Sequence, residues 1–338
     1  MTQRVKVALV GCGNIAQSHW KGLQAEAPQI EVTAIVDTHT ERAAAMAEQT
    51  GAKAYTSLEQ ALSTGDFDAV DIMLPHYLHE ETAISAFAAG KHVVLEKPMA
   101  PTIDACDRIL AAAKAAGTVF MIAEQSHYWP DTLKVQELIS SGAIGEIITA
   151  RAYFGNAAGI HTGPKPWRYE LAKSGGGICM DGGAHWIRPL RMWLGEVDEV
   201  VAVTGHPKEE MEGESYARSM LRFESGVVAV FDALHGGMFI GPGEEFRITG
   251  TLGELVIEKG NDGHLIRYDE THPDGEIIMS KRPGRGPASF GYELRDFSRA
   301  VLEGKTLEAS PEYSLGELRT ALAIYRSAAS GQWEKVWA

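Results

Sequence analysis

Three ionisable side chains stand in sequence surroundings that suit proton transfer at a hydroxyl group. Lys97 follows the apolar run His92-Val-Val-Leu95 and sits in Glu96-Lys97-Pro98. At the carboxyl end of a parallel strand, a lysine points into the cleft where ligands of such folds bind. Its ammonium could hold a substrate oxygen and lower the pKa of that hydroxyl. The same residue could equally be a surface lysine paired with Glu96. The second group is Asp181-Gly-Gly-Ala-His185. Its i,i+4 spacing predicts a carboxylate and an imidazole on one helix face. A histidine suits the general base for a hydroxyl proton at neutral pH. Asp181 could orient the substrate or support the imidazolium. A helix cap beside a core histidine is the other reading. The preceding Gly175-Gly-Gly177 predicts a backbone that a ligand approaches closely.

Proton removal alone oxidises nothing, and a glycine motif points to the redox partner. The β-branched run Val5 to Val10 ends in Gly11-x-Gly13-x-x-Ala16. A strand turning through glycines into a helix leaves bare N–H groups at the helix start, here at Asn14 and Ile15, for a pyrophosphate. Gly11 permits the tight turn, Gly13 lets the backbone reach the phosphate, and Ala16 allows close helix–strand packing. The next apolar run, Val32-Thr-Ala-Ile-Val36, ends in Asp37, 24 residues after Gly13. A carboxylate there accepts from both ribose hydroxyls and repels a 2′-phosphate, which predicts NAD, with NADP possible. Asp37 could instead be a turn or helix-cap residue before Thr38, His39 and Thr40.

These residues need a scaffold, and the first 124 residues predict one. Helix signals run over Thr40 to Thr50, from Ser57 onward, over His79 to Ala89 and over Thr102 to Ala116. Strand signals alternate with them at Ala69-Val-Asp-Ile-Met73, His92 to Leu95 and Val119 to Ala123. Such alternation means a doubly wound parallel sheet, a Rossmann domain. Residues 125–338 read differently. Helices are predicted over Asp131 to Ser141 and Met180 to Leu194. From Val197 to Ser280 only strand-like runs separated by turns appear. That meander predicts an α+β domain with a large, mostly antiparallel open sheet. Two helices close the chain, Ser289 to Leu302 and Glu312 to Ser330, and the last could pack back on the first domain. Arg282-Pro-Gly-Arg-Gly-Pro287 reads as a mobile loop.

The bulk composition excludes several classes. Of 338 residues, 45% are hydrophobic and 22% charged, and the net charge is -14. The acidic balance argues against nucleic acid or an anionic membrane as partner. No apolar run approaches the ~18 residues that span a bilayer, and the N-terminus has no signal-peptide pattern. The three cysteines, Cys12, Cys106 and Cys179, form no CxxC, which suits a cytoplasmic protein. The twelve histidines include no HExxH and no close His/Cys cluster, so no metal is expected.

Together the motifs resemble the Gfo/Idh/MocA family of NAD(P)-dependent oxidoreductases. The resemblance runs through Gly11-x-Gly13-x-x-Ala16-x-x-His19, Leu74-Pro75, His79, Gly90-Lys-His-Val-Val-Leu-Glu-Lys-Pro98 and Gly142-Ala-Ile-Gly145-Glu. It continues through Trp167-Arg168, Gly175-Gly-Gly177 and Asp181 to His185. It implies that Lys97, Asp181 and His185 are catalytic. It implies a cofactor lined by Gly11, Gly13, Asp37, Leu74, Pro75, His79, Glu96 and Lys97, with Trp167 and Arg168 close to it. It also implies a dehydrogenase acting on a secondary hydroxyl of a sugar or cyclitol, and a homodimer or homotetramer. An NADP-dependent keto-sugar reductase and a non-catalytic dinucleotide sensor are the alternatives. Where the family often carries an asparagine- or arginine-containing segment, this chain has Glu124-Gln-Ser-His-Tyr-Trp-Pro130. Gln125, Tyr153, Asn156, His161 and His235 are candidates to face a polyol.

Overall fold

The computed structural model describes residues 3–156, 166–236, 243–260, 262–282 and 284–338. Val5–Val10 forms β1, buried at five of its six positions, as a central parallel strand covered on both faces must be. Then follow α1 (Asn14–Glu26), β2 (Ile30–Val36), α2 (Thr40–Thr50), β3 (Lys53–Tyr55) and α3 (Leu58–Thr64). Next come β4 (Ala69–Ile72), α4 (His79–Ala88), β5 (His92–Glu96), α5 (Ile103–Ala116) and β6 (Phe120–Ala123). The six strands make one parallel sheet in the order β3-β2-β1-β4-β5-β6. The order reverses between β1 and β4, which is where ligands bind in doubly wound sheets. Helix ends carry the expected chemistry. Ser57 Oγ accepts from the Gln60 N–H at 3.2 Å and Thr102 Oγ1 from the Ala105 N–H at 3.3 Å. Gly51 and Gly117 close α2 and α5 at φ 74° and 64°, a conformation glycine adopts without a Cβ penalty.

The second region contains α6 (Pro130–Ser140), β7 (Ile147–Asn156), α7 (Leu171–Ser174) and α8 (Ala184–Leu194). It continues with β8 (Val197–Gly205), β9 (Tyr216–Phe223), β10 (Val228–His235), β11 (Glu244–Gly250), β12 (Gly253–Glu258), β13 (Leu265–Asp269) and β14 (His272–Met279). With a short final strand they form a nine-stranded sheet among the described residues, antiparallel except where β7 meets β10. Side chains alternate along β7. Phe154 faces α8, its ring 4.4 Å from that of Trp186. Arg151 and Tyr153 face the other side, beside Asp232 and Arg218.

The chain divides into two units, Met1–Gln125 with Gly286–Leu315, and Ser126–Arg285 with Gly316–Ala338. Thus α9 (Pro287–Glu303) belongs to the first unit, while α10 (Leu315–Ser330) lies almost wholly in the second. There β15 (Glu334–Lys335) pairs with β8. The penultimate helix is therefore grouped with the first unit. Two glycines let it pack closely on α1. Gly22 of α1 and Gly291 of α9 meet so closely that a Cβ on Gly291 would overlap the Gly22 carbonyl oxygen. Two residues of the segment expected to be a mobile loop, Arg282 and Arg285, are anchored within the second unit. Arg282 Nε donates to Asp131 Oδ2 at 2.7 Å, and its Nη1 to the Glu258 carbonyl at 2.8 Å. Arg285 donates to the same Asp131 oxygen at 3.1 Å and lies 3.4 Å over the Trp129 ring. Among the described residues no helix is long and apolar enough to cross a membrane.

Candidate active site

In the first unit the glycine turn has two distinct glycines. Gly11 has φ 97°, and a Cβ there would lie 2.5 Å from the Met73 carbonyl oxygen. Conformation and packing both demand glycine. Gly13 has φ -76°, open to any residue, and a Cβ there would meet nothing within 4 Å. Neither backbone nor packing explains it; the space it leaves is a cradle that a side chain would fill. Helix α1 starts at Asn14 with no side-chain cap and no acidic residue in its first turn. Its unpaired N–H groups, Asn14 and Ile15 first, and its positive end fit a diphosphate. Ala16 is wholly buried, as close helix–strand contact requires.

Asp37 closes this loop. Its Oδ2 accepts the Cys12 N–H at 2.9 Å and its Oδ1 the His39 N–H at 2.8 Å, with Arg42 at 3.3 Å. Burial acts to raise this carboxyl, but the two amides and Arg42 outweigh it and hold it below the usual range. Burial and the neighbouring Asp37 push the Cys12 thiol up to about 12, so it is no thiolate.

Leu74 and Pro75 follow β4, and Lys97 follows β5. His79 is wholly buried, with ring nitrogens 2.8 Å from the Leu74 carbonyl oxygen and 3.0 Å from that of Pro98. Burial lowers its pKa. The ring thereby ties the turn after β4 to the turn after β5 and shapes the lining that the resemblance assigned to it. Glu96 is buried, and its Oε2 accepts the Lys97 N–H at 3.1 Å. Lys97 itself is half-buried. The Gln125 side-chain carbonyl oxygen is buried without a hydrogen-bond partner among the described residues, which leaves it an acceptor for a ligand.

In the second unit Asp181 is not on the helix. Helix α8 begins at Ala184 and Asp181 lies in the turn before it, because the close packing of Gly182 and Gly183 on Phe154 and Cys179 sets a turn there. Arg168 Nε donates to Asp181 Oδ2 at 2.9 Å, and its guanidinium lies 4.4 Å over the Trp167 ring. The Tyr169 hydroxyl is 3.2 Å from His235 Nε2, and Lys208 lies 5.4 Å over the Tyr169 ring. Burial, then Lys208, lowers the His235 pKa, and Asp181 opposes them. Arg168, Tyr169, Asp181, Lys208 and His235 are thus one polar cluster. His185, the second residue of α8, is half-buried, its ring 6.3 Å from that of Trp129. Trp186 packs among Trp129, Phe154 and Phe246. Buried ion pairs hold the helix: Arg188 reaches Glu317 at 2.7 and 3.0 Å, and Arg191 reaches Glu317 and Glu196.

Gly175-Gly-Gly177 corrects the reading of a ligand-accessible backbone. A Cβ on Gly177 would overlap the Glu214 carbonyl oxygen, and one on Gly176 would lie 2.5 Å from the Tyr325 hydroxyl. Glu214 accepts the Gly177 and Cys179 N–H groups at 2.9 and 2.8 Å, and the Tyr325 hydroxyl at 3.2 Å. The protein itself fills the space the glycines leave. Tyr153 lies on the sheet face away from α8, so it is not brought to Asp181 and His185. His161 is outside the described residues, as is the side chain of Asn156. The sequence reading missed Tyr169, Lys208, Glu214, Tyr325 and the buried role of His19. Of these, His19 stood in the motif Gly11-x-Gly13-x-x-Ala16-x-x-His19 without a role, and Tyr169 adjoins Trp167-Arg168; the others carried no usable signal. Among the described residues no group of three His, Cys, Asp or Glu could hold a metal ion.

Residues 5–124 match the family model described as oxidoreductase family, NAD-binding Rossmann fold, and residues 132–256 match the GFO/IDH/MocA C-terminal domain. A 1,5-anhydro-D-fructose reductase from Ensifer adhaerens is 30% identical over 334 residues, 96% of each chain. A levoglucosan dehydrogenase from Pseudarthrobacter phenanthrenivorans is 27% identical over 388 aligned positions, 99% of this chain and 98% of that one. The WlbA dehydrogenase from Bordetella pertussis, solved with NADH and UDP-GlcNAcA, superposes with a TM-score of 0.84 at 26% identity. That superposition covers 99% of this chain and 98% of that one. The chain is a member of the GFO/IDH/MocA family of oxidoreductases, with an NAD-binding Rossmann domain and the family's C-terminal domain.

Proposed function

We propose that this protein is a dehydrogenase that oxidises a secondary hydroxyl of a sugar, sugar derivative or cyclitol with NAD, and reduces the ketone in reverse. The observation that carries the reading is Asp181, fixed by Arg168 at 2.9 Å in the turn that leads to the half-buried imidazole of His185. Bound nicotinamide supplies the acceptor or donor of the hydride. His185 takes the hydroxyl proton. Lys97 holds the substrate oxygen and stabilises its developing negative charge. Asp181 orients the substrate, and Gln125 and His235 contribute hydrogen bonds to it. Two full-length relatives named for carbohydrates, the reductase and the levoglucosan dehydrogenase, support the substrate class.

Asp37 supports NAD. One observation favours NADP: Arg42, half exposed beside Asp37, is the kind of group that receives a 2′-phosphate. The assembly is a homodimer or homotetramer. The sheet face away from α8 exposes Val203 and Met220 around a groove of about 710 Å³ that includes Arg151 and Arg218, a surface suited to a second copy. The net charge of -14 supports the absence of a nucleic-acid partner. None of the three cysteines is in a disulfide, which supports a reducing cytoplasm.

The test is a panel of sugars and cyclitols with NAD and NADP, followed by absorbance of the reduced cofactor. Turnover is expected with at least one of them, with NAD preferred about tenfold, ~1.4 kcal/mol. On that substrate, Lys97→Ala should bind NAD as the wild type does and lose most of its kcat. Near-wild-type kcat in the variant would make Lys97 a surface residue.

A further inference from the structure

We propose that His19 is a positioning residue for Lys97: an imidazolium held between two buried carboxylates, which fixes Glu96 and, through Glu96, the backbone of Lys97. The proposal rests on the catalytic role given to Lys97 above.

His19 lies in α1 with no exposure. Its Nδ1 is 2.8 Å from Asp71 Oδ2 on β4, and its Nε2 is 2.9 Å from Glu96 Oε1 at the end of β5. A neutral imidazole has one N–H and one lone pair. Turned toward a carboxylate at such a distance, that lone pair would repel it. With both carboxyls ionised, the two short contacts call for two donors, the imidazolium. Helix α9 faces the ring from its side with Phe290, ring centroids 5.1 Å apart, and with Glu293. Glu293 is wholly buried and neither carboxyl oxygen has a hydrogen-bond partner among the described residues. Glu124, after β6, is buried too. Burial, then Glu96, Glu124 and Asp71, push Glu293 well above the carboxylate range against the pull of His19. Burial acts to lower the His19 pKa, but Asp71 and Glu96 outweigh it and raise it well above the ordinary value.

The consequence reaches Lys97 by one bond. Glu96 gives Oε1 to His19 and Oε2 to the Lys97 N–H at 3.1 Å. On the other side of the turn the Pro98 carbonyl meets the His79 ring at 3.0 Å. Lys97 and Pro98 are thus braced from both ends, and His19 decides where the Glu96 carboxylate sits. Displacing a reacting group by ~1 Å costs on the order of 10²-fold in rate.

Two measurements on the full chain test this. The first is nitrogen NMR of 15N-histidine-labelled protein at pH 8.5, with His19→Gln for assignment. Both His19 ring nitrogens should carry protons there, where an exposed histidine is neutral. A neutral His19 overturns the proposal. The second is a cycle of His19→Gln, Lys97→Ala and the double variant. His19→Gln should lower kcat about 10- to 100-fold with the KM for NAD unchanged, and cost nothing further once Lys97 is gone. Additive losses overturn the proposal while leaving Lys97 catalytic. Wild-type kcat in Lys97→Ala overturns both readings, which separates the two failures. Should His19→Gln not fold, Glu96→Gln replaces it in the cycle with the same expected non-additivity.

Discussion

The turn Gly11–Gly13 of the first unit and the turn Gly175–Gly177 of the other unit share a glycine-rich sequence. Each leads to a helix that starts without a side-chain cap. Each is tethered by a distant carboxylate, Asp37 to the Cys12 N–H in one and Glu214 to the Gly177 and Cys179 N–H groups in the other. Their contents differ. A Cβ on Gly13 would meet nothing, whereas one on Gly177 would strike Glu214. The first turn leaves its space open, and the second fills it with protein. Glycine spacing reveals a turn; what occupies the missing side chain's place decides whether the turn binds or braces.

The largest expected effect separates the two directly. Gly177→Ala should lose about 3 kcal/mol of stability or more, since backbone must move to admit the methyl group. Gly13→Ala should lose less than about 1 kcal/mol, the cost of a poorer helix start, yet bind NAD about tenfold more weakly. Urea unfolding and cofactor titration by fluorescence measure both. Equal destabilisation of the two variants, with NAD affinity intact in Gly13→Ala, would erase the distinction.

A smaller effect concerns the two tethers. Burial pushes the Glu214 carboxyl above its ordinary range, in spite of its amide donors and Tyr325. The donors at Asp37 overcome burial and hold that carboxyl below its range. The signs follow by linkage. Stability from Asp37 is full above its unfolded pKa of about 3.9 and is lost as pH falls through the lower folded value. The native state favours protonated Glu214, so wild-type stability from that site declines as pH rises from about 4.3 toward the raised folded value. The deficit of Asp37→Asn should therefore shrink toward acid, and that of Glu214→Gln should shrink toward neutrality. Unfolding free energies from pH 3 to 8 would show the two trends; parallel slopes would contradict them.

These residues also show what was legible in the sequence. Alternating runs and end signals such as Ser57, Thr102 and Gly117 specify the parallel sheet because they act within a few residues of themselves. Gly11, Gly13 and Asp37 were legible because a strand–turn–helix fixes their mutual geometry. The start of α8 was misplaced because Gly182 packs on Phe154 and Gly183 on Cys179 and Phe231, and both phenylalanines are far away in the chain. Glu214 and Tyr325 were invisible for the same reason, being 37 and 148 residues from Gly177. Alternation placed Tyr153 on a strand but could not say which face α8 covers. The return of α9 to the first unit rests on its packing along α1, through Gly22 and Gly291, His19 and Phe290, and Arg295 and Glu26, which no local pattern announces.

The central claim is that His185 takes the hydroxyl proton. Its most direct test is the pH dependence of oxidative kcat/KM for the wild type beside His185→Ala, on the substrate found by the panel. The wild type should rise with pH through one ionisation. The variant should lose that ionisation and on the order of 10²-fold or more in kcat. The same ionisation persisting in His185→Ala at undiminished rate would assign the base to another group.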